Sequence, residues 1–176
     1  MNDQIRLHLG CGTNIMPGWV NIDVEARAGV TLHDLTKPLP FASGTVRYVF
    51  SEHFIEHITY NEGAALLREI RRVLAPGGVL RISTPDLVFL IHQYLTNNLT
   101  EWADVSYFPR TPCQMMNEGM RSWGHQFCYD ERELLIQLAG AGFRTIRKMP
   151  YRQSADSNLA NLECRPFHRE LIFEAE

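Results

Sequence analysis

The chain has 176 residues, enough for one domain with a buried core, and its 45% hydrophobic and 21% charged residues are ordinary for a globular protein. A formal net charge of -3 gives no reason to expect a nucleic-acid surface, and no apolar run reaches the roughly 20 residues of a membrane helix. The chain enters a strand-like segment without a basic and apolar leader, so we expect no signal peptide and a cytoplasmic location. The four cysteines form no CxxC pair and are expected to be reduced.

The first part of the chain is typical of short alternating strands. Apolar residues alternate with polar ones over residues 5–9, 19–24 and 29–35, and two further strands are predicted at 46–50 and 79–83. The first three strands lack the continuous apolar runs of strands buried on both faces, and their connections are too short for crossover helices. We therefore expect one face of the sheet to have reduced helix cover. The residues on this thinly covered face would be Arg6, His8, Asn21, Thr31 and His33.

Three helices are predicted after the fourth strand. Residues 61–74 place leucine, isoleucine and valine on one face, and Ala75-Pro76-Gly77-Gly78 ends this helix. Asp86 can cap a second helix reaching about residue 97, and Asp130 with Glu133 predicts the start of a third. Residues 143–149 and 168–175 are expected to be a closing strand pair. Strands that alternate with helices favour a mostly parallel sheet, and the closing pair favours an antiparallel edge strand.

Residues 99–125 have neither strand nor helix periodicity. They are rich in aromatic residues, methionine and proline, and they follow the carboxyl end of the fifth strand. A long irregular segment inside a domain is usually functional or mobile. We expect a single domain over residues 1–176, in which 99–125 is a substrate-side insertion or cap. The alternative is a surface excursion packed by its own aromatic residues.

A glycine turn, Gly10-Cys11-Gly12, follows the first predicted strand, and Asp23 ends the second. Open α/β sheets bind ligands beyond the carboxyl ends of their strands, where glycine lets the backbone approach a ligand. A carboxylate there can accept both hydroxyls of a ribose. The dinucleotide fingerprint fails, because position 15 is Ile15 instead of glycine and Asp23 comes too early. The turn favours a ligand with a ribose and no phosphate, such as S-adenosylmethionine.

Six blocks extend this pattern along the chain: LHLGCGT at 7–13, GWVNID at 18–23, HDL at 33–35, LPF at 39–41, SEHFIEH at 51–57 and RVLAPGGVLRIS at 72–83. In their order and spacing they resemble the class I S-adenosylmethionine-dependent methyltransferases, in particular the small type 11 group. The resemblance implies a Rossmann-like, doubly wound α/β fold and S-adenosylmethionine as cofactor.

The resemblance also assigns cofactor contacts. The implied cofactor-binding residues are Gly10, Cys11, Gly12, Asp23, Asp34, Leu35, Ser51 and Glu52. The glycines would approach the methionine and ribose portions, Asp23 would hold the ribose diol, and Asp34 with Leu35 would flank the adenine. The two residues that end the fourth strand would line the methyl-transfer centre. The structural alternatives are a loop cap for Asp23 and a turn-forming carboxylate for Asp34.

Methyl transfer to a hydroxyl benefits from a general base near the reacting methyl group. The expected catalytic residues are His53, His57 and His125, with Glu56 as a further candidate. His53 and His57 are four residues apart and would share a face of a helical turn. The alternatives are that Glu56 and His57 anchor the next helix and that His125 bonds to backbone. His53, Glu56 and His57, with His125 as a possible fourth, also resemble in spacing the ligands of some metal-dependent small-RNA methyltransferases. The first ligand there is glutamate, where this chain has His53, and we expect no metal.

The expected function is methyl transfer to a small-molecule acceptor, such as a sugar-type hydroxyl or an amine. The alternative is a methyltransferase fold without catalysis that serves as a binding or scaffolding subunit, and the failed fingerprint disfavours a nicotinamide oxidoreductase. No membrane partner is expected, and nucleic acid is not the expected substrate. The thinly covered face, with Ile15, Met16 and Trp19 nearby, favours a homodimer. Folding of the segment 99–125 or the C-terminal stretch over that face is the alternative.

Overall fold

A computed structural model describes residues 4–99, 108–165 and 170–176, which form a seven-stranded sheet with helices. The strands are β1 Ile5–Leu9, β2 Val20–Asp23, β3 Val30–Leu32, β4 Val46–Glu52, β5 Leu74–Pro85, β6 Ile146–Lys148 and β7 Glu170–Ala175. The helices are α1 Tyr60–Val73, α2 Leu87–Thr96, α3 Pro112–Arg121 and α4 Glu131–Gly140. Short 3-10 turns lie at Ile55–His57 and Ser122–Gly124.

The strands lie in the order β3-β2-β1-β4-β5-β7-β6. The pairings among β1 to β5 are parallel, whereas β7 runs antiparallel to both β5 and β6. The edge strand β6 is therefore held by an antiparallel pairing, as the closing strand pair predicts. This arrangement confirms the expected α/β, doubly wound and mostly parallel sheet. It also brings the carboxyl ends of β1, β2 and β4 to one edge of the sheet, where a ligand can bind.

Side-chain caps begin the helices that the sequence predicts. Asp86 accepts a hydrogen bond from the Val88 N–H at the start of α2, and Asp130 accepts one from the Glu133 N–H at the start of α4. The cap of α1 is Thr59, which forms a reciprocal capping box with Glu62. These caps satisfy N–H groups that have no partner within the helix, so each helix starts at a defined residue.

One face of the sheet carries the main apolar core, beneath α1 and α4. Leu7, Leu9 and Ile22 from the strands are fully buried there against Leu67 and Ile70 of α1. Between β1 and β4 the described chain has no helix, as the short connections predict. No helix in the described residues is long and apolar enough to cross a membrane.

Residues 150–165, which we term the covering segment, lie over the opposite face. Leu159 is fully buried against Tyr48 and Val79, and the Tyr48 hydroxyl donates to Asp156 Oδ2 at 2.7 Å. The fully buried Arg81 on β5 also holds this segment, because its Nη1 donates to the Gln153 carbonyl at 2.9 Å. The covering segment therefore does on this face what helices do on the other.

Arg81 lies in a buried ion-pair cluster under the covering segment. Its Nε contacts Glu163 Oε1 at 2.5 Å, and its Nη1 contacts Glu174 Oε1 at 2.6 Å. Glu174 is the register partner of Arg81 across the β5–β7 pairing, whereas Glu163 comes from the covering segment. One cation therefore ties two strands to the covering segment.

Because of the covering segment, the sheet face that the sequence predicts to be thinly covered is in part buried. His8 and Asn21 are buried and bonded to one another at 3.1 Å, whereas Thr31 on β3 stays exposed. The structure thus contains the predicted alternative to a dimer, in which the C-terminal stretch folds over this face of the sheet. The homodimer stays a prediction. The exposed apolar surface that favours it is now confined to the β2–β3 end of the sheet, where Leu32 is 63% exposed.

The expectation of an irregular segment at 99–125 is wrong for its second half. Residues 112–121 form α3, which starts at Thr111 as N-cap with Pro112 in the first turn and packs against α2 through Met115 and Leu90. Pro112 breaks a helix pattern only when it lies in the interior, and in the first turn it favours the helix. Residues 100–107, including Trp102 and Tyr107, lie outside the described part of the chain, so the predicted cap stays untested.

Candidate functional site

The glycine turn after β1 is tightly built. Gly10 and Gly12 both have positive φ angles, +66° and +52°, which suit glycine. The Gly10 and Cys11 N–H groups donate to the Ile22 carbonyl at 2.9 and 3.2 Å, which ties the turn to β2. A Cβ on Gly10 would lie 2.4 Å from the Phe54 ring, whereas one on Gly12 would meet only the tip of Arg165, at 3.9 Å. The Cys11 side chain is buried, so the turn presents mainly backbone at Gly12.

Asp23, at the end of β2, lies directly beside this turn. Its Oδ2 accepts the Gly12 N–H at 2.8 Å, and its Oδ1 accepts the Glu25 N–H at 3.1 Å. A carboxylate has about four acceptor positions, so Asp23 keeps capacity for two further donors. The side chain is half-buried, which leaves one side open to a ligand. The loop-cap role and a role toward a diol are therefore compatible in this residue.

The structure places Asp34 and Leu35 differently from one another. Asp34 is exposed, and its Oδ1 accepts both the N–H and the hydroxyl of Thr36, at 2.9 and 2.7 Å. These two hydrogen bonds hold the pKa of Asp34 below its usual value. Leu35 is buried in the main core. The turn-forming alternative for Asp34 is therefore present, and the adenine contact of both residues stays a prediction.

Ser51 and Glu52 end β4 and are both buried. Glu52 Oε1 accepts the backbone N–H groups of Cys164 and Arg165 at 2.9 and 3.0 Å, and its Oε2 lies 3.1 Å from the Cys164 sulfur. Burial and Glu52 together raise the pKa of the Cys164 thiol to about 11, so this thiol is protonated at neutral pH. The end of the covering segment thus lies against the residue predicted to line the methyl-transfer centre.

His53 follows β4 in a left-handed conformation, with φ +50°, ahead of the 3-10 turn. Its Nε2 lies 3.0 Å from Glu170 Oε1, and its Nδ1 lies 3.6 Å from Glu56 Oε1. Burial lowers the pKa of His53, but Glu170 and Glu56 outweigh it and raise the pKa above its ordinary value. Burial also raises the pKa of Glu170.

His57 and His125 lie together in the structure. Their rings are 4.9 Å apart and nearly perpendicular, and burial lowers the pKa of His57. The expectation that His53 and His57 share a helical face is wrong, because His53 precedes the 3-10 turn and its ring contacts Glu170 instead. His125 bonds to the Gly119 carbonyl through Nδ1 at 2.9 Å, which is the backbone contact expected as its structural alternative.

A pocket opens beside this histidine pair, between the end of β5 and helices α2 and α3. Its walls are mainly apolar, with a few polar groups at one end. The residues that define it are Glu56, Thr84, Pro85, Leu90, Trp123 and His125. Such a combination of apolar walls and a few convergent polar groups is typical of small-molecule sites.

Sequence reasoning missed Glu170, Arg81 and the covering segment. A glutamate at the start of a predicted closing strand and an arginine inside an apolar strand are signals of a buried ion pair, because buried charges need partners. The partner of Arg81 could have been sought in Glu174, but the pairing register that aligns them appears only in the sheet. The position of Cys164 over Glu52 has no signal in the sequence.

Comparison with known proteins finds a family model that matches part of the chain. Residues 7–82 match a family model described as a methyltransferase domain. Among solved structures, a SAM-dependent methyltransferase from Archaeoglobus fulgidus is 12% identical and has a TM-score of 0.63, with 98% of this chain and 85% of that chain covered. No curated protein sequence matches the chain significantly.

Two further solved structures share the fold. A SAM-dependent methyltransferase from Thermotoga maritima, described as a possible histamine N-methyltransferase, is 16% identical, with a TM-score of 0.60 and coverage of 97% of this chain and 81% of that chain. One from Mesorhizobium loti is 17% identical, with a TM-score of 0.58 and coverage of 97% and 90%. At these identities the likeness shows the fold. The residues matched by the family model include the glycine turn, Asp23 and the end of β4. Residues 7–82 therefore match a methyltransferase-domain family, and the chain has the fold of SAM-dependent methyltransferases.

Proposed function

We propose that the chain binds S-adenosylmethionine between the glycine turn and Asp23 and transfers its methyl group to an oxygen or nitrogen of a small-molecule acceptor. The observation that carries the proposal is the Asp23 carboxylate, held 2.8 Å from the Gly12 N–H at the carboxyl edge of the sheet. This is the edge at which open α/β sheets bind ligands.

The residues at this edge fit a ligand with a ribose. Gly12 presents bare backbone, and only the flexible tip of the Arg165 side chain lies near it. Asp23 retains acceptor positions for two hydroxyl groups on its open side. Because Asp23 is fixed by two backbone donors, it needs little reorganisation to hold a diol.

S-adenosylmethionine supplies an electrophilic methyl group on a sulfonium sulfur. The protein's contribution is then to align the acceptor with that methyl group and to exclude water. The pocket at the end of β5 is the proposed acceptor site, because it opens next to the residues that follow β4. A small molecule fits its apolar walls better than a polymer does.

The three histidines predicted to be catalytic differ in their access to this pocket. His125 lines it, and His57 packs on His125, so these two are the proposed contacts to the acceptor. His53 is buried between two carboxylates and is proposed to act by holding the end of β4 in place. An acceptor hydroxyl would lose its proton on the His125 side as the new bond to the methyl group forms.

Calorimetric titration with S-adenosylhomocysteine tests the cofactor site. Asp23→Asn should weaken binding about tenfold or more, because a hydrogen bond to a charged group contributes about 1.5–3 kcal/mol. Glu25→Gln is the matched control, since Glu25 is a neighbouring exposed carboxylate, and it should leave the dissociation constant unchanged. Equal affinity in Asp23→Asn and the native protein would refute the role of Asp23.

Absence of S-adenosylhomocysteine binding to the native protein would refute the proposed function itself. Where binding is found, transfer of a labelled methyl group to a panel of small alcohols, sugars and amines identifies the acceptor class. A panel that includes both hydroxyl and amine acceptors separates oxygen from nitrogen as the acceptor atom, because only the accepted class becomes labelled.

A further inference from the structure

Three potential metal-ligating side chains converge at one end of the proposed acceptor pocket. One ligand atom from each of Glu56, His57 and His125 lies within 4.8 Å of the other two. Two imidazoles and a carboxylate are a ligand combination that suits zinc, manganese, cobalt or iron. Small rotations of the side chains would shorten these distances to those of a metal coordination sphere.

The two imidazoles are oriented as metal ligands usually are. His125 uses Nδ1 for the Gly119 carbonyl at 2.9 Å, which leaves Nε2 free to ligate. A ring N–H of His57 is likewise hydrogen-bonded to the backbone of Trp123. In metal sites the second ring nitrogen of a ligating histidine almost always donates to a carbonyl or carboxylate, which fixes the ring and its tautomer.

Glu56 supplies the observation that points most directly to a ligand. It is 1% exposed, and its Oε2 accepts the Thr84 hydroxyl at 3.0 Å. Its Oε1 is buried and has no hydrogen-bond partner among the described residues; His53 Nδ1 lies 3.6 Å from it. A buried carboxylate oxygen without a donor is costly, and a bound cation would compensate it.

The backbone holds the two parts of this cluster together. The Glu56 carbonyl accepts the N–H groups of Gln126 and Phe127 at 2.7 and 3.2 Å, and the Gln126 side chain donates to the His57 carbonyl at 2.8 Å. The segment that carries His125 is thereby fixed beside residues 56 and 57, although the two are far apart in sequence. The cluster is therefore a built feature of the fold.

We propose that Glu56, His57 and His125 form a binding site for one divalent transition-metal ion, facing the acceptor pocket. Three protein ligands leave at least one coordination position open, which is the pattern of catalytic sites. Because Glu56 and His125 line the pocket, that position faces an acceptor, and a hydroxyl bound there would be oriented and acidified by the ion. With the ion bound, the ion takes the place of His125 in activating the hydroxyl, since His125 then has no free ring nitrogen. This role of the ion rests on the proposed function, whereas its binding does not.

Titration of the metal-free native protein with Co²⁺, followed by visible absorption, tests binding without any cofactor. One equivalent of Co²⁺ should produce ligand-field bands. Zn²⁺ should displace the bound Co²⁺, and calorimetry should give one Zn²⁺ site per chain. His57→Ala and His125→Ala should each weaken binding by more than about tenfold, since loss of an outer-shell partner alone costs 10–100-fold. His92→Ala, an exposed histidine on α2, is the matched control and should bind as the native protein does.

Circular dichroism of each variant tests whether it is folded. Glu56→Gln, which keeps the shape of the side chain, is a further variant that leaves both imidazoles in place. Absence of saturable Co²⁺ binding to the native protein, or unchanged affinity in both histidine variants, would overturn the proposal. S-adenosylhomocysteine titration of the same samples keeps the two questions separate. Cofactor binding without metal binding refutes only the metal site, and metal binding without cofactor binding refutes the proposed function.

Discussion

At the scale of single residues, the two glycines of the first turn differ in their surroundings. Gly12→Ala should destabilise the fold by about 1 kcal/mol, the approximate cost of a left-handed alanine, and its methyl group would enter the proposed cofactor site. We expect S-adenosylhomocysteine affinity to fall about tenfold, because overpacking costs about 1–3 kcal/mol. Gly44→Ala is the control, since Gly44 also has a positive φ, +71°, and has nothing within 4 Å of an added Cβ.

Urea unfolding and calorimetry measure the two effects of these glycine substitutions separately. Both variants should lose similar stability, and only Gly12→Ala should lose affinity. Equal affinity in the two variants would contradict a cofactor position next to Gly12.

Side chains that contact neighbours close in sequence could be predicted, and those fixed by distant contacts could not. The caps Asp86 and Asp130 act within one helical turn, so a short window contains all of their interactions. His53 was proposed as a base, but its environment is set by Glu170, more than a hundred residues further along the chain. The glycine turn itself could be predicted because it is also local, whereas its contacts to a cofactor stay predictions.

At the scale of elements, the covering segment depends on Arg81. Arg81→Met would leave Glu163 and Glu174 buried without their cation, and removal of one partner from a buried ion pair costs about 3–5 kcal/mol. We expect hydrogen exchange in residues 150–165 to accelerate more than exchange in α1. Arg147→Met is the control, because Arg147 forms an exposed ion pair with Glu176, which contributes less than about 1 kcal/mol.

Tyr48→Phe gives a milder test of the same element if Arg81→Met does not fold. It removes the hydrogen bond to Asp156 and the one accepted from Asn158 Nδ2, at a cost of about 1 kcal/mol each, and should accelerate exchange in the same segment. Uniform acceleration across the whole chain in both variants would contradict a role confined to the covering segment.

The elements themselves were predictable where periodicity is strong. The apolar stripe of α1 reflects burial of one face, and the structure confirms it. The alternation in β1 predicts the strand, but both of its faces are covered, because His8 is buried as well as Leu7 and Leu9. Helix α3 was missed because Pro112 and Gly119 both disfavour a helix interior, although Pro112 lies in the first turn and Gly119 lies against Leu90. The covering segment has no periodic pattern that could predict its position, because its contacts with Tyr48 and Arg81 are tertiary.

At the scale of the whole molecule, the predicted homodimer would use the β2–β3 end of the sheet. Ile15, Val24 and Leu32 are 37%, 60% and 63% exposed there, next to β3, which has no strand partner on its outer edge among the described residues. Self-complementary pairing at such an edge is a common route to two-fold dimers. Sedimentation at micromolar concentration should give about twice the chain mass of 20.2 kDa, and Leu32→Lys should reduce it to one chain mass. A native species of one chain mass would contradict the dimer.

The position of β7 in the sheet has a consequence for how the chain is made. β7 is the last strand in sequence, yet it lies between β5 and β6 and supplies the pairing partner of both. During synthesis β5 therefore emerges from the ribosome long before its neighbour, with an apolar edge open to other chains. Because the β5–β7 contacts are distant in sequence, their formation should set the pace of folding. A cell that makes this protein quickly would need chaperones most during the interval before residues 170–175 appear.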